Sequence, residues 1–189
     1  VIDGTDGSGK ATQTELLAER LRARDLNVET ADYPRYGEKS AALVEEYLNG
    51  NYGTPEEVGP YRASIFYACD RYADLGRIKT LLEAGYVVIS NRYTTSNMGH
   101  QAGKIASESE RDTFLEWLQT LEYDIFGIER PDACILLHMP PEIGQSLVSR
   151  KAERAYLEEG THDIHESDIT HLQQASDSFM YVAEKFNWH

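Results

Sequence analysis

The sequence predicts an α/β protein of three layers, a parallel β-sheet flanked by helices on both faces. Short, continuously apolar runs of the kind that buried parallel strands make alternate with longer amphipathic stretches. The first run opens straight into a glycine-rich loop and then a helix, and an alternation of strand and helix implies right-handed crossovers joining parallel strands. The chain has 189 residues with 41% apolar content, room for one domain with a full core.

Each element follows in order. Residues 1–3 read as the end of a first strand, 4–9 as its loop, and 10–24 as a helix with Leu16, Leu17 and Leu21 on one side. Residues 27–33 alternate Val28, Thr30 and Asp32 with Glu29, Ala31 and Tyr33, a strand closed by Pro34. A helix is expected over 40–49 and a long one over 60–83, stopping near Gly85. Residues 86–90 read as a buried strand, followed by a polar segment with several glycines. Beyond it come an amphipathic helix over 111–123, a buried strand over 133–139 and a helix over 142–153. Residues 150–168 turn polar and charged, as a surface lid would, on a single domain spanning 1–189. The abrupt start at Val1, and an end at Trp188-His189 where another strand could begin, are expected to be trimmed ends.

Charge narrows the function classes. With 32 acidic against 18 basic residues the net charge is -14, which disfavours an electrostatic grip on nucleic acid or an anionic membrane. A bound phosphate must then be met by local positive potential. Cys69 and Cys134 lie inside apolar runs and read as small core residues, fitting a reducing cytoplasm. No run of eighteen apolar residues and no signal-peptide pattern is present. His162, His165 and His171 lie near acids at spacings that read as solvated polar residues and not a metal site.

Chemistry concentrates in four places. Gly4-Thr5-Asp6-Gly7-Ser8-Gly9-Lys10-Ala11-Thr12 reads G-x-x-x-x-G-K between a strand and a helix. There, backbone N–H groups and the helix N-terminus converge on an anion, and Lys10 reaches the outer phosphates. Ala11 stands where such a loop expects a hydroxyl for magnesium, but that ion keeps several waters and takes ligands from substrate phosphates. Asp6 and Asn91 are the nearest groups to hold those waters, and Thr12 is available to a phosphate oxygen. The second place is Asp32-Tyr33-Pro34-Arg35-Tyr36 and the third Ser90-Asn91-Arg92-Tyr93, both at carboxyl ends of strands. Arg35 and Arg92 there either meet a second phosphoryl group in the cleft or pair with surface carboxylates. The fourth is Phe66-Tyr67-Ala68-Cys69-Asp70-Arg71, where Tyr67 and Arg71 share a helix face. They either stack on and hydrogen-bond a base or belong to the core.

Taken together these motifs resemble the thymidylate kinase family, P-loop enzymes that phosphorylate dTMP. The likeness covers the T-D-G-S-G-K loop, Y-P-R-Y, F-Y-A-C-D-R, N-R-Y-T-T-S-N, P-P-E-I ahead of a helix, and an arginine-bearing lid. It implies a P-loop NTPase fold, ATP as phosphoryl donor, Mg²⁺, dTMP as acceptor and a cytoplasmic homodimer. On that likeness Lys10 and the loop hold the ATP phosphates, and Asp6 contacts the sugar 3′-hydroxyl and the magnesium shell. Arg35 and Arg92 clamp the monophosphate, Tyr36 lies near the acceptor, and Tyr33 packs beneath it. Tyr67 stacks on thymine, Arg71 bonds its O4, and Asn97 its N3 side with Ser96 beside it. His100 crowds the sugar's 2′ position. Arg150 and Arg154 are the lid's transition-state arginines, Asp163 and Glu166 match its acidic end, and Gly7 fits the subtype that supplies arginine from the lid. Asn91 departs from the usual Asp of the family, and His138 from a usual acid. A deoxynucleoside kinase using Asp32 as base, and a nucleotide-binding homologue without catalysis, are the competing readings.

Overall fold

The computed structural model describes residues 1–140, 142–144 and 169–189. Four strands, β1 (Ile2–Asp3), β2 (Val28–Asp32), β3 (Val87–Asn91) and β4 (Ile135–Leu136), form a sheet in the order β2-β3-β1-β4. Every neighbouring pair is parallel, with Ile2 opposite both Asn91 and Ile135, and Asp32 opposite Asn91. All four carboxyl ends therefore lie along one edge.

Side-chain alternation places helices on both faces. Ile2, Val28 and Ile89 pack on one face with Ala18, Leu17 and Leu21 of α1 (Lys10–Arg22). Val1, Ala31, Tyr33 and Val88 pack on the other with Ile78 of a long helix. Leu16, expected beside Leu17 and Leu21, is 52% exposed, because at about 100° per residue it falls outside the stripe of Ala18 and Leu21.

The expected helix over 40–49 is a single 3₁₀ turn, Lys39–Ala41, followed by α2 (Ala42–Leu48). The long helix α3 (Pro55–Glu83) starts five residues earlier than the apolar pattern indicates. Thr54 accepts from the Glu57 N–H at 3.3 Å while the Glu57 carboxylate accepts from the Thr54 N–H at 2.8 Å, and Pro55 follows. That reciprocal cap satisfies two amide donors at the helix start. Gly59, at φ 73°, interrupts the helical path, and Pro60 begins its second segment without an N–H to leave unpaired.

Two strands are less buried than their apolar runs imply. Val87 is 39% exposed because the start of β3 pairs only with β2, and Ile135 is 36% exposed in the two-residue β4. The His189 N–H donates to the Cys134 carbonyl and the Leu136 N–H to that of His189, a parallel pairing pattern on the outer side of β4.

The polar segment after β3 is a helix, α4 (Thr94–Ala102). The helix expected over 111–123 is α5 (Glu108–Gln119), capped by the Ser107 hydroxyl and continued by a π-helical turn, Thr120–Ile125. Another, α6 (Ile169–Lys185), closes the chain. Met98 and Ala102 of α4 join Phe114, Leu115 and Leu118 of α5 and Val182 of α6 in a second core. Of the helix expected over 142–153 only Glu142–Gly144 is described, and it is helical. The expected lid lies outside the described residues. No described helix is long and apolar enough to cross a membrane.

Candidate active site

The loops that follow β1, β2 and β3 open together at the carboxyl edge of the sheet, where an open parallel sheet binds ligands. They surround a cavity of about 280 Å³. Its wall includes Asp6, Gly7, Gly9, Lys10 and Ala11 from the first loop, and Tyr33 and Tyr36 from the second. Tyr67 and Arg71 of α3, Asn91 at the end of β3, Arg92 just after it, and Ser96, Asn97 and His100 of α4 complete the predicted set there.

Backbone conformation shapes the loop first. Gly4, Gly7 and Gly9 have φ of 144°, 79° and 89°, a region side chains rarely adopt. Space excludes side chains too: a Cβ at Gly4 would lie 2.3 Å from the Leu137 carbonyl oxygen, and one at Gly7 2.3 Å from that of Gly144. Helix α1 then starts at Lys10, and Gly9, Lys10 and Ala11 bring its N-terminus to the cavity wall. Lys10 is buried, and its Nζ donates to the Thr5 carbonyl at 2.8 Å. The Asp3 carboxylate, 1% exposed, accepts from the Gly4 N–H at 2.8 Å and from the hydroxyls of Thr95 and Ser96. One buried acid thus ties the loop to α4. Gly4, Thr5, Ser8 and Thr12 of the loop do not line the cavity.

Arg92 reaches the cavity through an unusual backbone. Its φ is 63°, a left-handed conformation that costs a residue with a Cβ about 1–2 kcal/mol. The guanidinium pairs with Asp6, and its Nη1 lies 3.0 Å from His100 Nε2. Arg35 is placed differently. Its guanidinium donates to Asp70 at 3.1 Å, Asp74 at 3.0 Å and the Ser40 hydroxyl at 2.8 Å, and it does not line the cavity. Asp70 and Asp74 are themselves buried, so this arginine is shared between two acids of α3, and Arg77 supplies a second cation to Asp74. Tyr33 also donates to Asp74, at 2.7 Å, and burial together with that bond raises its hydroxyl pKa far above the ordinary tyrosine value.

The base-facing candidates form a tighter unit. Arg71 is 3% exposed, and its Nε and Nη2 donate to the two Glu122 oxygens at 2.7 and 2.5 Å. Burial works against that cationic charge, but the facing carboxylate outweighs it and the guanidinium pKa lies above its ordinary value. Asn97 donates to the Ser64 carbonyl at 3.1 Å and to Glu122 at 3.0 Å. Sequence reasoning missed Glu122. Its signal was an acid four residues on from Leu118 and seven on from Leu115, within their stripe, where a solvated residue does not belong.

Asp32 and Asn91 stand side by side at the strand ends. Asn91 Nδ2 donates to Asp32 at 2.9 Å, and Asn91 Oδ1 is buried without a hydrogen-bond partner among the described residues. Enclosure of Asp32 by protein raises its carboxyl above the ordinary carboxylate range, against the pull of Arg92, Asn91 and Lys10. Asp6 and Ala11 line the same cavity as these oxygens, which with Asp6 are the hard donors that a hydrated magnesium ion takes. Among the described residues no three carboxylates, thiols and imidazoles converge on one point to hold an ion alone. Arg150, Arg154, Asp163 and Glu166 lie outside the described residues.

A cavity lined by a glycine-rich loop with Lys10, by Arg92, and by Tyr67, Arg71 and Asn97 fits nucleotide phosphoryl transfer, and known proteins agree. A model of the thymidylate kinase family matches residues 2–186. The chain is 32% identical to a thymidylate kinase of Mycobacterium tuberculosis over 81% of its length and 71% of that protein. It is 28% identical to a probable thymidylate kinase of Caldivirga maquilingensis over 92% of its length and 78% of that protein, and 29% identical to a thymidylate kinase of Bifidobacterium longum over 81% and 72%. The chain belongs to the thymidylate kinase family and is a nucleoside monophosphate kinase.

Proposed function

We propose that the protein transfers the γ-phosphoryl group of ATP to dTMP, giving dTDP. The observation that carries this reading is that one cavity joins the Lys10 loop to Arg92 and to Tyr67, Arg71 and Asn97. A donor phosphate, an acceptor phosphate and a pyrimidine each find a partner of matching chemistry there.

The acceptor is already an oxyanion, so transfer needs alignment and charge neutralisation more than a base. The loop amides and Lys10 hold the donor phosphates, and Arg92 holds the acceptor phosphate against them. Arg35, whose guanidinium is already shared among Asp70, Asp74 and Ser40, carries a smaller share of that clamp. Tyr67 stacks on the base, Tyr33 and Tyr36 shape the floor, and His100 closes on the sugar. Asp6, Asp32 and Asn91 would hold the water shell of a Mg²⁺ ion, which when bound neutralises charge on the ATP phosphates. Arg150 and Arg154 supply the remaining positive charge from the lid. By the same likeness the protein works as a homodimer; elution as a monomer at micromolar concentration would contradict that.

Lys10→Ala, and separately the double variant Arg150→Ala/Arg154→Ala, should each lower kcat by about 10²-fold or more while dTMP binding by calorimetry stays within a few-fold. Turnover near the parent rate in either variant would remove that group from the mechanism.

A further inference from the structure

Glu122 lies inside the protein, 0% exposed, on the π-helical turn after α5, where its cost must be offset by partners. Its two oxygens receive Arg71 Nε and Nη2, and one of them also receives Asn97 Nδ2. Consider what this leaves for a ligand. An Asn amide has two N–H donors, and both are committed: one to Glu122, the other to the Ser64 carbonyl. Only Oδ1 remains, an acceptor. Rotating that amide by half a turn would set Oδ1 against a carboxylate and a carbonyl, neither of which can donate. Arg71, held side-on, keeps Nη1 without a partner among the described residues, a pure donor. Both residues line the cavity.

We propose that Glu122 is a positioning residue that fixes the hydrogen-bonding polarity of the base site as donor beside acceptor. The proposal rests on the dTMP kinase reading and specifies what that site selects. A 4-oxopyrimidine, thymine or uracil, offers O4 as acceptor and N3–H as donor, the complement of Arg71 Nη1 and Asn97 Oδ1. Cytosine offers the reverse, an N4 amino donor toward the arginine and a bare N3 toward Oδ1. Two mismatches of like polarity then meet in a buried site, where unpaired polar groups are least tolerated. Asn97 alone could not enforce this, since a free amide turns over to suit either base. The carboxylate, with the Ser64 carbonyl, removes that freedom, because neither has a hydrogen to give.

Glu122→Gln keeps the shape and supplies a donor of its own, so that Oδ1 of a turned Asn97 amide gains a partner that offsets its approach to the Ser64 carbonyl, and Nδ2 can face the base. In steady-state turnover with ATP and Mg²⁺, the parent should prefer dTMP to dCMP in kcat/KM, and dUMP should follow dTMP in any preference over dCMP. In Glu122→Gln the dTMP to dCMP ratio should fall by about 10²-fold, through a raised KM for dTMP and a lowered one for dCMP, with KM for ATP unchanged. A merely structural role would lower both substrates in parallel and leave the ratio within about three-fold, which would overturn the proposal. A parent that does not turn over dTMP would instead sink the functional reading itself, and this proposal with it. If Glu122→Gln does not fold, hydrogen exchange of the Asn97 side-chain amide in the parent decides: both protons protected with and without dTMP supports the proposal, and rapid exchange in the free protein overturns it.

Discussion

Arg92 and Arg35 show how one residue type can serve two purposes in one site. Both follow strands and both were legible as candidates, yet Arg92 lines the cavity while Arg35 is bound to the buried acids Asp70 and Asp74. Arg92→Ala should therefore raise KM for dTMP by about 10- to 100-fold with little change in melting temperature. Arg35→Ala should do the opposite, costing about 2–3 kcal/mol of stability at neutral pH by stripping partners from buried carboxylates. Burial works to raise the Asp74 pKa, but the bonds from Arg77 and Tyr33 and the charges of Arg35 and Arg77 hold it below the usual aspartate value. The stabilisation by an ionised Asp74 is thus complete above the unfolded value of about 4 and is lost as pH falls through the depressed folded value. The gap between parent and Arg35→Ala should narrow over that acid window in thermal melts; equal KM effects in the two variants would contradict the division of labour.

At the scale of elements, the strands and the glycine-rich loop were readable because their signals are local: apolar runs, closely spaced glycines, a lysine at a helix start. Helix α4 was not. Its buried positions are Thr94, Thr95, Asn97, Met98, Gly99, Gln101 and Ala102, so polar groups face inward beside a single apolar pair, Met98 and Ala102, and no apolar period stands out. What fixes it is distant: Asp3 accepts from Thr95 and Ser96, and Phe179 of α6 lies against Gly99. Helix α6 was more legible than its neglect implies, since Leu172, Ala175, Phe179 and Val182 repeat at spacings of three and four. A Cβ at Gly99 would stand 2.4 Å from the Phe179 ring. Gly99→Ala should therefore destabilise the protein by about 1–3 kcal/mol and, because α4 carries Ser96, Asn97 and His100, raise KM for dTMP as well. A melting temperature at or above that of the parent would show that α6 yields at no cost.

Over the whole molecule, a net charge of -14 is set against two anionic substrates. Lys10, Arg71 and Arg92 gather in one concave site, although Arg71 is paired there with Glu122 and Arg92 with Asp6. The family of the chain was readable from several motifs in sequence order, while the roles of Glu122, Asp70 and Asp74 were not, because each acts on a residue 35 to 51 positions away. Such pairings become visible only when helices and strands are laid side by side. The measurement that bears most directly on the account is ADP release with ATP and Mg²⁺, offering dTMP, dCMP and thymidine in parallel. The account predicts turnover of dTMP exceeding that of dCMP and thymidine by about 10²-fold or more. Turnover of thymidine with none of dTMP, or binding of ATP and dTMP without ADP release, would contradict it.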